Sequence, residues 1–396
     1  MMFLRKLFWL DVVLLASVGL PIACASDGTG DKAELAPDAP SVEAPDAMAP
    51  DAAPAADAGT ESAPCSPSKL CTVPSTDLAR GVKLTSIWGS SKSDVWAVGS
   101  GGTVLHFDGV TWEKADPAGA TPEAGNSYTL RSVWLERPDD VWIADGQAIR
   151  HTTGWKGPSA TEWSFLSVSA GQCTPASIRG IGGRVWVANG LVLGWCPWQL
   201  GWFEGWPDAG PYTVPHLGEE SASISIAASH RDEAWASYSW RPPQSGVGHR
   251  VFRLNTASGG GGAPDDAAWQ MEEYDSRAHR PMPAVWADEH AVWLAGDGGT
   301  LRRLARADMQ TKRFEIVSSP VSADLKGLFG FGANDIWAVG DDSAVIHWDG
   351  TSWTKLSTPF DQAEDKPNLV AVWGSSPDDV WIVGDGTMLH FQGNAP

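Results

Sequence analysis

The chain has 396 residues, with 28 Lys+Arg against 48 Asp+Glu and a formal net charge of −20. So acidic a balance argues against a nucleic-acid partner, because neutralising phosphates needs clustered Lys and Arg. The 23 Trp against 4 Tyr, the 43 Gly and only 19% charged residues disfavour a helical bundle and leave one large all-β domain or two or three smaller domains.

Residues 1–25 read as a secretory signal. Arg5 and Lys6 form a basic start, Leu7 to Leu20 an apolar run interrupted by Asp11, and small residues follow at Ala23, Cys24 and Ala25. The run is short for a permanent membrane span. Two processing routes are open. Pro21-Ile22-Ala23-Cys24 resembles a bacterial lipobox, which would make Cys24 the lipidated mature N-terminus; cleavage after Ala25 would instead release a soluble secreted protein. Either way the chain is expected to be exported. The first route predicts an outer-membrane or cell-surface lipoprotein that meets the membrane only through its anchor.

Residues 26–64 form a linker with three copies of Ala-Pro-Asp-Ala, at 36–39, 44–47 and 49–52, and no aromatic residue. Nine Asp/Glu against one Lys leave it too acidic and too polar to offset chain entropy, so a disordered, extended tether is expected.

After the linker the chain repeats. Leu84–Gly99 (LTSIWGSSKSDVWAVG) and Leu369–Gly384 (LVAVWGSSPDDVWIVG) are the clearest copies; others begin at Leu130, Pro283 and Leu325, and degenerate ones near Ile178 and Ile224. The second Trp of the motif recurs at Trp96, Trp142, Trp186, Trp235, Trp293, Trp337 and Trp381, at intervals of 44 to 58 residues. Within the first unit, period-two alternation bounded by Gly, Asp and Ser predicts strands over Leu84–Gly89, Asp94–Gly99, Thr103–Phe107 and Thr111–Lys114, with Asp108-Gly109 as a tight turn. Repeats of this length parsing into four strands predict a single seven-bladed β-propeller over residues 65–396. The seventh unit lacks a fourth strand. Residues 68–73 resemble one, and are expected to pair with its third strand and close the ring, leaving no bare edge.

Most Trp then serve packing between blades: the second-strand set, the first-strand Trp88, Trp134, Trp286 and Trp373, and the fourth-strand Trp112, Trp163, Trp202, Trp269 and Trp353, with Phe314 as a substitute. Trp195 and Trp348 align with Phe107. A basic or polar position recurs in the third strand at His106, His151, Arg253, Arg303, His347 and His390. Spread one per blade around a ring, these histidines cannot converge on a metal, and a hydrogen bond within the blade or an exposed rim is expected. Asp94, Asp140, Asp335 and Asp379, ahead of the second strand, are read as turn caps. A calcium site at Asp297 or Asp341-Asp342 has too few oxygen ligands to be assigned. No metal, cofactor or catalytic residue is expected.

With Cys24 set aside, the cysteines Cys65, Cys71, Cys173 and Cys196 are even in number, and in an exported chain disulfides follow. Of the three possible pairings, proximity favours Cys65–Cys71 and Cys173–Cys196.

The longer connections, at about 115–128, 207–220, 239–248, 274–282 and 357–367, fall on one face; 154–162 and 255–267 fall on the other. Trp155, Trp198, Trp206 and Trp240 stand outside the repeat pattern. Trp198, Trp206 and Trp240, with Tyr212 and Tyr238, are the candidate binding residues, since exposed aromatics suit stacking on sugars or gripping a protein. Packing under their own loops is the alternative.

The motif, completed by His347-Trp348-Asp349-Gly350 and Trp353, resembles repeats of bacterial surface lipoproteins with propeller folds. The turn at 347–353 is similar to a degenerate Asp-box of sialidase-like propellers, and the Val-Trp-Ala-Val-Gly element to tectonin-type lectin repeats. The resemblance covers about residues 69–396 and implies a fold, not an activity. The leading expectation is a monomeric, non-catalytic, surface-tethered binding module that recognises a glycan or a protein through its loops. A structural scaffold of a cell-envelope complex is the alternative. A sialidase-like hydrolase would need an arginine cluster and a paired Tyr nucleophile, and no such set stands out.

Overall fold

The computed structural model describes residues 69–73, 81–115, 129–146, 148–167, 173–191, 200–203, 212–213, 222–240, 248–256 and 269–393. By its contacts the chain divides into Met1–Ser62 and Ala63–Pro396, and all described residues belong to the second unit. The signal and linker segments, and Cys24 with them, lie outside the described residues. Among the described residues no helix is long and apolar enough to cross a membrane.

Short alternating runs set off by turn residues pair with their sequence neighbours, and the result is a set of four-stranded antiparallel sheets. Blade one is Leu84–Ser91, Asp94–Gly99, Val104–Phe107 and Trp112–Ala115. Its tight turn is built as the Asp-Gly pair predicts: Asp108 Oδ1 accepts the Val110 and Thr111 amides, each at 2.8 Å, while Gly109 takes a left-handed φ of 98°. Blade two begins at Ser132–Leu135, blade three at Cys173–Ile181, blade four at Ala222–His230, blade five at Ala284–Ala287 and blade six at Leu325–Gly332; each is continuous in sequence.

The seventh sheet is composite. Leu369–Ser376, Asp379–Gly384 and Thr387–Gln392 supply three strands, and Lys69–Thr72 adds the fourth, in antiparallel register from Lys69↔Gln392 to Thr72↔Leu389. Leu70 on that strand is buried beside Trp337 and Phe391, which gives the closing strand an apolar anchor as well as backbone bonds. Cys71 in the same strand is disulfide-bonded. The predicted pairings Cys65–Cys71 and Cys173–Cys196 involve Cys65, Cys196 and the side chain of Cys173, which lie outside the described residues.

First strands of successive sheets touch around a full circle, the last against the first, so the sheets form a propeller. Its hydrophobic residues gather into seven clusters, each drawn from two adjacent blades. The second-strand Trp96, Trp142, Trp186, Trp235, Trp293, Trp337 and Trp381 are all fully buried, one in or against each interface. Truncating such a side chain to Ala typically costs about 3–5 kcal/mol. The core is therefore a ring of seams between adjacent sheets, which large planar side chains fill.

Blade three departs from the predicted parse. Its third strand is Leu200–Phe203, with Trp202 opposite Trp186 and Phe203 opposite Val185, and its fourth is Tyr212–Thr213. Trp202 thus occupies a third-strand position, not the fourth-strand one expected, and Phe203 is the counterpart of Phe107, which stands opposite Val95. The expected counterpart, Trp195, lies outside the described residues. The misreading came from a longer second-to-third connection, which shifted the third strand along the sequence.

Candidate functional site: the axial well

Two side-chain systems recur around the ring, and they have different consequences. The first is structural. In an antiparallel sheet the residue opposite a second-strand Trp lies on the third strand, and the acid two residues before the Trp shares its face. Asp335 Oδ1 accepts both the Trp337 indole N–H at 3.0 Å and His347 Nε2 at 2.8 Å. Asp94 does the same for Trp96 and His106 at 3.0 and 2.9 Å, and Asp140 for Trp142 and His151, each at 2.8 Å. Asp379 accepts His390 Nε2 at 2.6 Å, and the His390 ring stacks on Trp381 at 3.6 Å. These acids are therefore receivers inside the blade as well as turn residues. Ser90 and Ser375 on the first strands add hydroxyl bonds to Asp94 and Asp379 at 2.5 Å. Burial would raise the Asp140 carboxyl, but the bonds from His151 and Trp142 and the charge of Arg137 outweigh it and hold it below the usual carboxylate range.

Blade four uses a longer acid with a longer base. Glu233 accepts Trp235 at 3.0 Å, Ser229 at 2.7 Å and Arg253 at 2.5 Å, and pairs with Arg306. Against the penalty of burial, Ser229, Arg306, Trp235 and Arg253 together lower its pKa. In blade five the acid position is Ala291, and Arg303 lies over the Trp293 ring at 5.8 Å. The recurring third-strand residues are thus bonded within their own blades. Among the described residues no group of three or more His, Cys, Asp or Glu is placed to hold a metal ion.

One serine–histidine pair invites a catalytic reading. Ser237 Oγ lies 2.9 Å from His249 Nε2, and Ser276 Oγ lies 2.9 Å from His249 Nδ1. Ser237, however, is buried, and its hydroxyl donates to the Met282 carbonyl at 2.5 Å. The pair links blade four to the chain entering blade five. Burial, with the charge of Arg302 as a lesser cause, pushes His249 down to about 4, so the imidazole is neutral.

The second system lines the axis. Ser86, Ser132, Ser177, Ser225, Ala284, Gly327 and Ala371 stand on successive first strands, each two residues before the partner of the second-strand Trp, and all are small. Their size leaves a cavity of about 490 Å3 on the axis, within the ~300–1,000 Å3 typical of small-ligand sites. Hydroxyls also stitch neighbouring blades: Ser86 Oγ accepts the Val133 amide at 3.1 Å, Ser132 Oγ accepts the Ile178 amide at 3.2 Å, and Thr85 Oγ1 donates to the Leu130 carbonyl at 2.5 Å.

Opposite the second-strand Trp, the first strands carry Trp88, Trp134, Arg179, Ala227, Trp286, Phe329 and Trp373. Trp88 of blade one meets Phe329 of blade six with ring centroids 5.6 Å apart, and the Arg179 guanidinium of blade three lies 4.6 Å over the Trp88 ring. Contacts between blades that are not neighbours cross the axis. These contacts close the axis below the cavity, and of these side chains Arg179 alone lines it, so the cavity is a well on the side where the first strands begin.

The wall of the well carries Arg131, Arg179 and Lys326 and no carboxylate. That is a local reversal in a chain of net charge −20. Lys326 is paired with Asp341. Arg179 donates through Nη1 to the Ile178 carbonyl at 2.7 Å and to Ser132 Oγ at 3.2 Å, both neutral acceptors. Desolvation brings its pKa to about 10, which leaves it charged at neutral pH.

The aromatic patch expected from sequence is not what marks this site. Trp198 and Trp206 lie outside the described residues. Tyr212 and Trp240 are placed only as strand residues, at the starts or ends of Tyr212–Thr213 and Glu233–Trp240. Tyr238 corrects the expectation: it is 2% exposed and packs with Ile224, Phe252 and Trp186, because its register opposite Ile224 turns it into the seam between blades three and four. Trp155, also outside the repeat pattern, stacks on His106 at 4.5 Å and covers the seam between blades one and two. Sequence reading missed Arg131, Arg179 and Lys326. The available signal was an Arg at 179 where five of the six other copies carry Trp or Phe.

No family model and no curated protein matches the chain. Solved structures do match in fold. A structure described as YCF48 bound to D1 peptide aligns with a TM-score of 0.57 at 16% identity, over 84% of this chain and 97% of that one. YCF48 from Cyanidioschyzon merolae aligns at 0.58 and 17%, over 82% and 99%. The WD40 β-propeller domain of Doa1 aligns at 0.55 and 12%, over 81% and 94%. At such identities the likeness is one of fold, a β-propeller.

Proposed function

We propose that this chain is a non-catalytic binding propeller, exported and tethered at the cell surface, that takes a segment of a protein ligand at its axial well. The observation that carries the reading is the well itself: an open, cation-bearing cavity at the axis of a rigid ring, lined by first-strand residues from all seven blades. Support for a protein ligand over a glycan comes from the fold-level likeness to a propeller whose structure is described as bound to a peptide. The Ser237–His249 pair, the nearest approach to a nucleophile and base, is buried and committed to structural bonds, in keeping with a non-catalytic role. Export and tethering rest on residues 1–25, Cys24 and the acidic linker.

The test is a parallel screen of the purified protein against a random peptide library and a glycan array. Retained peptides whose binding falls when Lys326 or Arg131 is replaced by Gln support the proposal; retention of glycans alone would make the chain a lectin and sink it. Tethering is checked separately, by asking whether Cys24→Ser moves the protein from the membrane fraction to the soluble one.

A further inference from the structure

We infer that the well is a carboxylate receptor: the open edge of the Arg179 guanidinium receives the free carboxylate of an organic ligand, above all a peptide C-terminus, whose body rests against the apolar arc of the wall. This deepens the binding proposal above and rests on it.

The argument begins with an imbalance. A guanidinium held in a protein interior is normally matched by a carboxylate, because an unpaired charge out of water is costly. Arg179 is half-buried, shielded from water on one side by Trp88, and touches neutral oxygens only. Both bonds use Nη1, and Nε and Nη2, the other edge of the fork, have no hydrogen-bond partner among the described residues. Arginine's planar fork binds carboxylates through two parallel N–H···O bonds. The stack on Trp88 and the bonds to Ser132 and Ile178 already fix the guanidinium plane, so little freedom remains to be lost on binding.

The rest of the wall agrees. Lys326 is neutralised by Asp341. Arg131 is exposed, forms no ion pair among the described residues, and contributes positive potential at the wall. One unpaired, half-buried cation matches one monoanion. Seryl hydroxyls from blades one to four offer further partners, and the apolar arc opposite, with Leu328 and Val372, suits a non-polar side chain. A lumen without acidic groups does not repel such a ligand, whereas the −20 charge of the whole chain would repel one from most other surfaces.

The experiment is calorimetric titration of the full-length protein with four probes: an N-acetylated tetrapeptide ending in phenylalanine with a free carboxylate, the same peptide as its C-terminal amide, 3-phenylpropionate, and inorganic phosphate. The free-acid peptide is expected to bind at least tenfold more tightly than the amide, and to weaken with added salt. Arg179→Gln should bring it to the level of the amide, and Arg179→Lys, which keeps the charge but not the fork, should weaken it several-fold. If Arg179→Gln fails to fold, the acid–amide difference and the Lys variant decide. Phenylpropionate weaker than the peptide assigns the site to chain ends, and equal affinity assigns it to free organic acids; both support a carboxylate receptor. Phosphate as the tightest probe overturns it. Equal binding of acid and amide, or binding unchanged in both Arg179 variants, overturns it while leaving the protein-binding proposal intact; no binding of any probe overturns it, and the peptide-library screen then decides the broader proposal.

Discussion

An aspartate that receives two buried N–H groups is a liability when removed, because both donors lose their acceptor at once. Asp335 is such a residue, bonded to Trp337 and His347. Each orphaned buried group costs about 1–3 kcal/mol, so Asp335→Ala should lower stability by roughly 2–4 kcal/mol, read as a shift of the urea midpoint at an unchanged slope. Blade five shows that the ring survives such a change, since Ala291 stands at the same position there. His249 makes a second residue-scale case. Its folded pKa of about 4 lies below the ordinary 6.5, so between these values the unfolded chain binds the proton and the folded one does not. Stability from this group is complete above pH 6.5 and lost as pH falls toward 4, by about 3 kcal/mol in all. Urea melts at pH 7, 5.5 and 4.5 should show that loss, and His249→Gln should flatten it; an equal slope in both proteins would refute the assignment.

At the scale of elements, the repeat works because one strand yields space to its neighbour. A Cβ on Gly89 would lie 2.6 Å from the Trp373 ring and 2.6 Å from the Asp94 carbonyl. Gly180 meets Trp134 and Gly330 meets Trp286 in the same way. Each glycine receives the first-strand aromatic of the preceding blade, which explains why Trp-Gly recurs in the motif. Gly89→Ala should cost about 1–3 kcal/mol through overpacking. Adding Trp373→Leu should recover part of that loss in a double-mutant cycle, because the two sites share one contact; strict additivity would show that the Asp94 carbonyl alone sets the penalty. This is also the scale at which sequence was most readable. Strand alternation and the Asp-Gly turns placed most elements, because those signals are local. The Asp–Trp–His bonds were half visible: both ends were noted, but joining them needs the antiparallel register. The well was not visible, since each blade contributes only one or two small residues to it, and no single copy shows that their absence of bulk is shared. Trp202 was misplaced because an insertion hides the register that Phe203 would have revealed.

Over the whole molecule the decisive question is how a ring is fastened. Six sheets are continuous in sequence, and the seventh takes Lys69–Thr72 from the far end of the chain. A closed ring has no exposed inner seam, but this one relies on a single four-residue strand for its last outer edge. The register puts Lys69 opposite Gln392, so a two-residue turn could join the end of the last strand to the start of the closing one. A permuted chain that begins near residue 81 and carries residues 69–73 after Gln392 through an Asn-Gly turn should therefore reproduce the fold with nearly the same melting temperature. It should refold faster, because a pairing that spans the domain becomes a hairpin and the contact order falls. A chain that begins at residue 81 without the transplanted strand should melt lower and self-associate, since the Thr387–Gln392 edge and the apolar site of Leu70 are then bare. If the truncated chain is as stable and monomeric as the permuted one, the strand only decorates the ring. If the permuted chain alone recovers stability, closure belongs to the strand and not to its place in the sequence.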